Sequence, residues 1–195
     1  MPSGDKAQLA IFASGGGSNA DKICTYFKSH PSIAVSLILT NRADAGVLQV
    51  ADRHGIESVY ISKKYWSHPE IILPVLETSG ITHIILAGFL SLIPDWLIQE
   101  YRGHIINIHP ALLPKYGGKG MYGNKVHQAV IDAKEKESGI TIHYVDEIYD
   151  HGNIIFQATC IVDEHETVIS LAQKIHLLEH QHYPAVIASL VESHK

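Results

Sequence analysis

Continuously apolar runs in the first 110 residues alternate with stretches whose apolar residues recur at the spacing of an α-helix. The runs predict strands at 9–14, 33–41, 58–61, 81–89 and 104–110. The stretches between them predict helices at 19–30, 43–55, 69–80 and 94–103. Strands that are apolar throughout are buried on both faces, which is typical of a parallel sheet covered by helices. The pattern therefore predicts an α/β fold.

The pattern changes in the second part of the chain. An amphipathic helix is predicted at 124–137, and two strands at 139–146 and 153–162 are joined by the short polar segment "EIYDHG". Strands this close along the chain favour an antiparallel hairpin. A long final helix is predicted at 167–192. We predict a single domain over 1–195: a doubly wound, mostly parallel, Rossmann-like sheet with an antiparallel C-terminal extension.

Composition and charge narrow the partners of this domain. Apolar residues make up 46% and charged residues 18%, which indicates a globular chain. Fifteen basic residues stand against 20 acidic ones, giving −5, so we expect no nucleic-acid partner. We also expect no membrane partner, because no apolar run reaches the ~18 residues of a membrane helix. Cys24 and Cys160 stand far apart, and with no signal-peptide pattern at the start we expect a cytoplasmic protein with free thiols.

A glycine loop follows the first predicted strand. The segment "GGGSNA" matches G-x-G-x-x-A, with Gly15, Gly17 and Ala20 in the defined positions. A dinucleotide site would place an acid at the end of the second strand, but Asn41 stands there, followed by an arginine that keeps an NADP site open. The loop also fits a monophosphate cradle, in which Ser18 and Asn19 cap the helix and bind oxygens. A plain tight turn is the third interpretation.

The segment "NIHPALLP" brings an amide and an imidazole to the end of the fifth strand. Alternation along the strand places Asn107 and His109 on the same face. An amide and a protonated imidazole can both donate to the oxyanion of an acyl-transfer intermediate. Such a histidine needs a carboxylate, and we expect Asp150, in the turn "EIYDHG", to provide it. A purely structural histidine remains the alternative interpretation.

Other catalytic patterns are missing from the sequence. No G-x-S-x-G or H-E-x-x-H motif occurs, and His176 and His180, four residues apart in the last helix, have no obvious third ligand. We therefore expect no metal. Direct acyl transfer between two bound substrates, assisted by acid and base, is the chemistry that remains.

Five motifs carry a resemblance to a known family. They are "FASGGGSN", "LAGFLSLIP", "INIHPALLPKY", "GITIHYVDEIYDHGNIIFQ" and "EHQHYP". In this order and spacing the chain resembles the glycinamide ribonucleotide formyltransferases over about residues 8 to 192. The resemblance implies transfer of the formyl group of 10-formyltetrahydrofolate, a co-substrate, to the amine of glycinamide ribonucleotide in purine biosynthesis.

The resemblance also implies roles for individual residues. Asn107, His109 and Asp150 match the catalytic asparagine, histidine and aspartate of the family. The residues implied to bind the ribonucleotide are Gly17, Ser18, Asn19 and Glu179, with the glycine loop holding its phosphate. The residues implied to bind the folate are Leu90, Ser91, Leu92, Ile93, Asn107, Val145 and Asp146.

Two other enzymes remain as alternatives at this stage. A formyltetrahydrofolate hydrolase would use the same catalytic residues with water as acceptor. An NADP-dependent oxidoreductase would use the "GGGSNA" loop for a dinucleotide. We expect small-molecule partners, and a homodimer stays open.

Overall fold

The computed structural model describes residues 6–193, which form an α/β fold. The strands are β1 Ala7–Phe12, β2 Ile33–Thr40, β3 Glu57–Tyr60, β4 His83–Leu86, β5 Ile105–His109, β6 Glu137–Tyr144 and β7 Ile154–Ile161. The α-helices are α1 Ser18–Phe27, α2 Val47–His54, α3 Pro69–Thr78, α4 Asp95–Glu100, α5 Asn124–Asp132 and α6 Val168–Ser193. A short 3-10 helix at Lys63–Tyr65 was not predicted.

The strands have the order β3-β2-β1-β4-β5-β6-β7 in a mixed sheet. Helices and strands alternate as far as β5, and a long helix ends the described chain. The predicted fold class, a mostly parallel doubly wound sheet with an antiparallel extension, is therefore confirmed. The chain divides into two compact units, the first comprising 6–106 with 184–193 and the second comprising 107–183.

The first unit has a parallel sheet with an apolar interior. Strand β1 pairs in parallel with β2 and with β4, and β2 pairs in parallel with β3. Leu9, Ile11 and Phe12 in β1 are fully buried, as are Leu37 and the residues that follow it in β2. Burial on both faces explains why these strands are apolar throughout instead of alternating.

The second unit contains the predicted hairpin. Strands β6 and β7 pair antiparallel, with Glu137 opposite Ile161 and Thr141 opposite Gln157. Gly139 lies where a Cβ atom would come within 2.0 Å of the Ala158 carbonyl oxygen, so the close approach of the strands requires glycine at this position.

Some predicted boundaries are wrong. The helix predicted at 124–137 ends at Asp132, because the chain turns at Lys134, whose φ is 52°, and β6 already begins at Glu137. The helix predicted from residue 43 begins at Val47. Throughout 6–193, every helix is too short or too polar to cross a lipid bilayer.

Candidate active site

His109 and Asp150 meet inside the second unit. Strand β5 ends at His109, and the turn between β6 and β7 carries Asp150. The His109 Nδ1 atom lies 3.4 Å from Asp150 Oδ2, and both side chains are largely buried. The other ring nitrogen of His109, Nε2, donates a hydrogen bond of 2.8 Å to the Tyr116 carbonyl oxygen. The predicted proximity of this histidine and this carboxylate is confirmed, and their catalytic roles stay a prediction.

Asn107 joins the same cluster through its amide. Its Nδ2 atom donates to Asp150 Oδ1 at 3.5 Å, so one carboxylate contacts both residues of the strand pair. The other hydrogen of the amide points to His143 Nε2, 3.1 Å away. The second contact adds a residue that the sequence interpretation missed.

His143 lies at the end of β6 and is buried. Its Nδ1 atom donates to the Tyr144 carbonyl oxygen at 2.8 Å, which leaves Nε2 to accept from Asn107. The same Nε2 lies 3.7 Å from Asp150 Oδ1. A sequence signal existed, since His143 is the one histidine within the otherwise uncharged segment "GITIHY". It is the last but one residue of its strand, and His109 is the last residue of β5.

Burial and charge set the protonation of this cluster. Burial lowers the pKa of His109, and the opposing attraction of Asp150 and the Tyr116 carbonyl does not fully offset it. Burial also raises the pKa of Asp150, but contact with His143, the charge of His109 and the Gly118 N–H together bring it below its usual value. The resting cluster at neutral pH therefore holds a carboxylate beside an uncharged imidazole.

The backbone around the cluster fixes the position of the carboxylate. Asp150 has φ 55°, in the left-handed region, and its Oδ2 accepts a 2.9 Å hydrogen bond from Gly118 N–H. Two residues further on, a Cβ atom at Gly152 would lie 1.8 Å from the Tyr144 carbonyl oxygen. A non-glycine residue with positive φ is uncommon, and such residues are concentrated at functional sites.

Glu179 lies in α6 and belongs to the second unit. It is 5% exposed, and its Oε2 atom lies 2.9 Å from His176 Nδ1. This contact with Glu179 is the main reason that the pKa of His176 is raised. In α5, the pKa of the buried His127 is lowered by burial, and the charge of Glu179 acts on it in the opposite direction.

The glycine loop of the first unit differs from its prediction in one respect. The N-cap of α1 is Gly17, with φ 82° and no side-chain capping hydrogen bond, so the expectation that Ser18 and Asn19 cap the helix is wrong. A Cβ atom at Gly17 would lie 2.9 Å from Val47, so both the conformation and the close approach to α2 favour glycine. Ser18 is exposed and Asn19 half-buried in the first turn.

The segment after β4 lies close to this glycine loop within the first unit. Ser14 N–H donates to the Gly88 carbonyl at 3.1 Å, and Leu90 N–H donates to Ser14 Oγ at 3.0 Å. Trp66 Nε1 donates to the Leu92 carbonyl at 2.9 Å, which fixes the segment from its other side. Leu90 and Leu92 remain 49% and 42% exposed although both are apolar, as a segment that binds an apolar ring would be.

Other implied folate residues have different surroundings. Ser91 Oγ accepts a 2.8 Å hydrogen bond from Asn41 Nδ2, and Ile93 is buried. In the second unit, Val145 is half-buried, and the Asp146 carboxylate accepts from Ile148 N–H at 2.9 Å. That these two segments and the catalytic cluster form one site stays a prediction of the sequence.

Two alternative chemistries receive no support from geometry. Arg42, which an NADP site would use, forms an exposed ion pair with Asp44. In the described part of the chain, no three His, Cys, Asp or Glu residues are arranged to hold a metal ion. An amide donor, an imidazole and an ionised carboxylate are the groups gathered by the second unit, and together they suit the stabilisation of an oxyanion with proton transfer.

Comparisons with known proteins point to the same chemistry. The Formyl transferase family matches residues 7–187. The chloroplastic phosphoribosylglycinamide formyltransferase of Arabidopsis thaliana is 38% identical over 96% of this chain and 66% of its own length. The phosphoribosylglycinamide formyltransferase of Bacillus subtilis is 38% identical over 94% of both chains. The chain thus spans about two thirds of the plant relative and nearly all of the bacterial one.

Solved structures agree with these relatives. Phosphoribosylglycinamide formyltransferase from Anaplasma phagocytophilum matches with TM-score 0.89 and 32% identity, over 97% of this chain and 89% of that one. The enzyme from Bacillus halodurans matches with TM-score 0.87 and 34% identity, over 96% of this chain and 97% of that one.

Proposed function

Because this chain belongs to the formyl transferase family, we propose that it transfers the formyl group of 10-formyltetrahydrofolate to the amine of glycinamide ribonucleotide, a step of purine biosynthesis. The observation that carries the proposal is the cluster of Asn107, His109 and Asp150, with the imidazole 3.4 Å from the carboxylate and the amide 3.5 Å from it. Similarity to phosphoribosylglycinamide formyltransferases over 94% and 97% of their own chains supports this acceptor.

The reaction begins with the acceptor amine. Its nitrogen attacks the formyl carbon, so that a C–N bond forms and the carbonyl oxygen becomes an oxyanion. The Asn107 amide and a His109 N–H donate to that oxygen. The developing negative charge, added to that of Asp150, raises the proton affinity of the imidazole. His109 can therefore be uncharged at rest, take up a proton from solvent as the intermediate forms, and release it when the intermediate collapses.

The intermediate then collapses to products. The attacking nitrogen loses a proton to Asp150, directly or through a water molecule, and the bond from carbon to folate N10 breaks. N10 takes up the proton that Asp150 accepted, which leaves Asp150 ionised again, and tetrahydrofolate leaves. Asp150 can accept this proton because its carboxylate is ionised at neutral pH. His143 holds the Asn107 amide in the orientation that this scheme needs.

Substrate binding is assigned by the resemblance and supported by local geometry. Gly17, Ser18 and Asn19 would hold the ribonucleotide phosphate at the start of α1, where backbone N–H groups face an anion. Buried Glu179 would bind the ribose and glycinamide end.

The folate pteridine has its own set of residues. The resemblance assigns to it the main chain from Leu90 to Ile93 together with Val145 and Asp146. The exposed apolar side chains of Leu90 and Leu92 support this assignment. The free Cys24 and Cys160 fit a reducing compartment, so we assign the reaction to the cytoplasm.

One experiment separates the proposed transferase from a hydrolase. Purified protein is incubated with 10-formyltetrahydrofolate, with and without glycinamide ribonucleotide, and both formylated ribonucleotide and free formate are measured. We expect formylated product in proportion to tetrahydrofolate released. Release of formate at the same rate without the ribonucleotide would assign the chain to hydrolysis. Binding of NADPH but not of folate would favour an oxidoreductase.

A further inference from the structure

The segment 111–118, which follows β5 in the second unit, contacts both members of the catalytic pair through its main chain. The Tyr116 carbonyl oxygen accepts a hydrogen bond of 2.8 Å from His109 Nε2. Two residues later, the Gly118 N–H donates one of 2.9 Å to Asp150 Oδ2. The position of this segment therefore affects both an imidazole and a carboxylate, which lie 3.4 Å apart.

The start of the segment is held by Thr141 of β6. The hydroxyl of this fully buried threonine donates to the Ala111 carbonyl oxygen at 2.7 Å. It also accepts a hydrogen bond of 3.0 Å from the Leu113 N–H. The segment has no helix or strand of its own, so one side chain of the hairpin supplies two of the hydrogen bonds that its main chain needs.

Gln157 of β7 completes this anchor. It lies opposite Thr141 in the antiparallel register. Its Nε2 atom donates to Thr141 Oγ1 at 2.8 Å and to the Leu113 carbonyl oxygen at 3.1 Å. Both amide hydrogens are then used, and the threonine hydroxyl donates once and accepts twice, which is its full capacity. A closed network of this kind holds its members in one arrangement.

Packing couples the anchored end of the segment to the catalytic end. A Cβ atom at Gly117 would lie 2.5 Å from Leu113 Cδ2, so the leucine side chain lies directly against this glycine. The same Cβ atom would lie 3.2 Å from the Cβ atom of Asp150. Gly117 stands between the Tyr116 carbonyl and the Gly118 N–H in the chain. A shift of Leu113 is therefore passed to both main-chain partners of the catalytic pair.

We propose that Gln157 is a positioning residue for the catalytic pair and acts through Thr141 and the segment 111–118. The network fixes the Tyr116 carbonyl, which keeps the proton of the uncharged His109 on Nε2, because the tautomer follows the hydrogen bonds of the ring. Nδ1, which faces Asp150, is then the nitrogen that takes up the second proton. The kinetic consequence depends on the proposed formyl transfer, whereas the tautomer depends on the resting structure alone.

Two substitutions remove the hydrogen bonds with little change in volume. Gln157→Met has no amide donors, and Thr141→Val has no hydroxyl. Gln157 is exposed in β7, so its replacement should leave the core intact. Thr141→Ser keeps the hydroxyl and is the conservative variant. Gln128→Met and Thr159→Val are matched controls, because they make the same changes at exposed positions of α5 and β7.

Steady-state kinetics separates positioning from substrate binding. Gln157→Met should lower kcat about tenfold and Thr141→Val about 30-fold, since misplacement of a catalytic group slows a reaction by up to about 10²-fold. Thr141→Ser should keep kcat within about threefold of the parent, and all variants should keep KM for both substrates within about twofold. Rates are measured well below the Tm of each variant, and circular dichroism checks the fold.

The tautomer of His109 gives a readout that does not depend on turnover. NMR of the ring nitrogens in the full chain shows which of them carries the proton, with signals assigned by comparison with His109→Gln. In the parent and in both controls we expect the proton on Nε2. In Gln157→Met and Thr141→Val the Tyr116 carbonyl is no longer fixed, so we expect a larger share of the proton on Nδ1, beside the carboxylate.

Each outcome decides the proposal. A lower kcat at unchanged KM, with a shifted tautomer in Gln157→Met and Thr141→Val and neither change in the controls, would support it. Parent-like kcat and tautomer, or a raised KM at parent-like kcat, would overturn it. A lower kcat with an unmoved tautomer would overturn the action through the segment 111–118. If the parent released only formate, the proposed acceptor would be wrong, and the tautomer would still decide the role of Gln157.

Discussion

The charge of Asp150 can be removed with little change in shape by Asp150→Asn. In the parent, Oδ2 accepts from Gly118 N–H at 2.9 Å, and Oδ1 accepts from Asn107 at 3.5 Å. The introduced amide can keep the Gly118 hydrogen bond with its oxygen, so the turn should still fold. Its NH₂ group then faces the Asn107 amide, donor against donor, and His109 loses the carboxylate.

The distance between the two groups sets the size of the effect. A full imidazolium and carboxylate 3.4 Å apart attract each other by about 5 kcal/mol at an effective dielectric constant of about 20. That gross attraction is an upper limit, since solvent and the remaining amide recover part of it. A loss of about 2.7 kcal/mol in transition-state stabilisation slows a reaction about 10²-fold. We expect turnover to fall between about 10²- and about 10³-fold.

The assay measures tetrahydrofolate release at saturating concentrations of both substrates, with KM for each determined separately. Asp132→Asn is the matched control, because Asp132 is exposed at the end of α5 and accepts a hydrogen bond from Gln128, away from the catalytic turn in sequence. NMR of the His109 ring should also show a further lowered pKa, since Asp150 favours the charged imidazole in the parent. Turnover within about threefold of the parent would refute the role of this carboxylate.

Three other perturbations test separate parts of the structure. Gly152→Ala should lower turnover at least about tenfold without changing helix content in circular dichroism, because its Cβ would lie 1.8 Å from the Tyr144 carbonyl and displace the catalytic turn. Parent-like turnover would contradict this. His127→Gln should reduce the loss of Tm between about pH 7.5 and pH 5.5. Burial lowers the pKa of His127, so the unfolded chain binds more protons, and stability present above about pH 6.5 is lost as the pH falls. If the variant lost as much Tm as the parent between these two pH values, the lowered pKa of His127 would be contradicted. Ser18→Ala combined with Asn19→Ala should mainly raise KM for the ribonucleotide. If only KM for the folate rose, the glycine loop before α1 would have been assigned to the wrong substrate.

The sequence predicted the two members of the site that lie on one strand. Asn107 and His109 are two residues apart, so strand alternation places them on one face. The partnership with Asp150 was inferred from the chemistry that a charged histidine needs. His143 was missed, because the pairing of β5 and β6 that brings it to Asn107 is a long-range contact without a local signal.

Helix ends show the same limit. The first turn of α1 contains Ser18 and Asn19, two residue types that are common at N-caps, and their preference led to the prediction that they cap the helix. In the structure the N-cap residue is Gly17. The close approach to Val47 in α2 decided this, since no side chain fits there. Likewise, the amphipathic pattern of α5 continues past Asp132, but the chain must turn at Lys134 to begin β6.

Local patterns by themselves determined which segments are strands and helices. A strand buried on both faces is a continuous apolar run, and a helix buried on one face has apolar residues three or four positions apart. They also determined that an amide and an imidazole end one strand. Only the tertiary structure decided which distant groups meet them. The contact of His143 with Asn107 depends on the pairing of β5 with β6, and the contact of Asp150 with His109 depends on how the turn between β6 and β7 folds back. Spacing along the chain does not specify contacts of that kind.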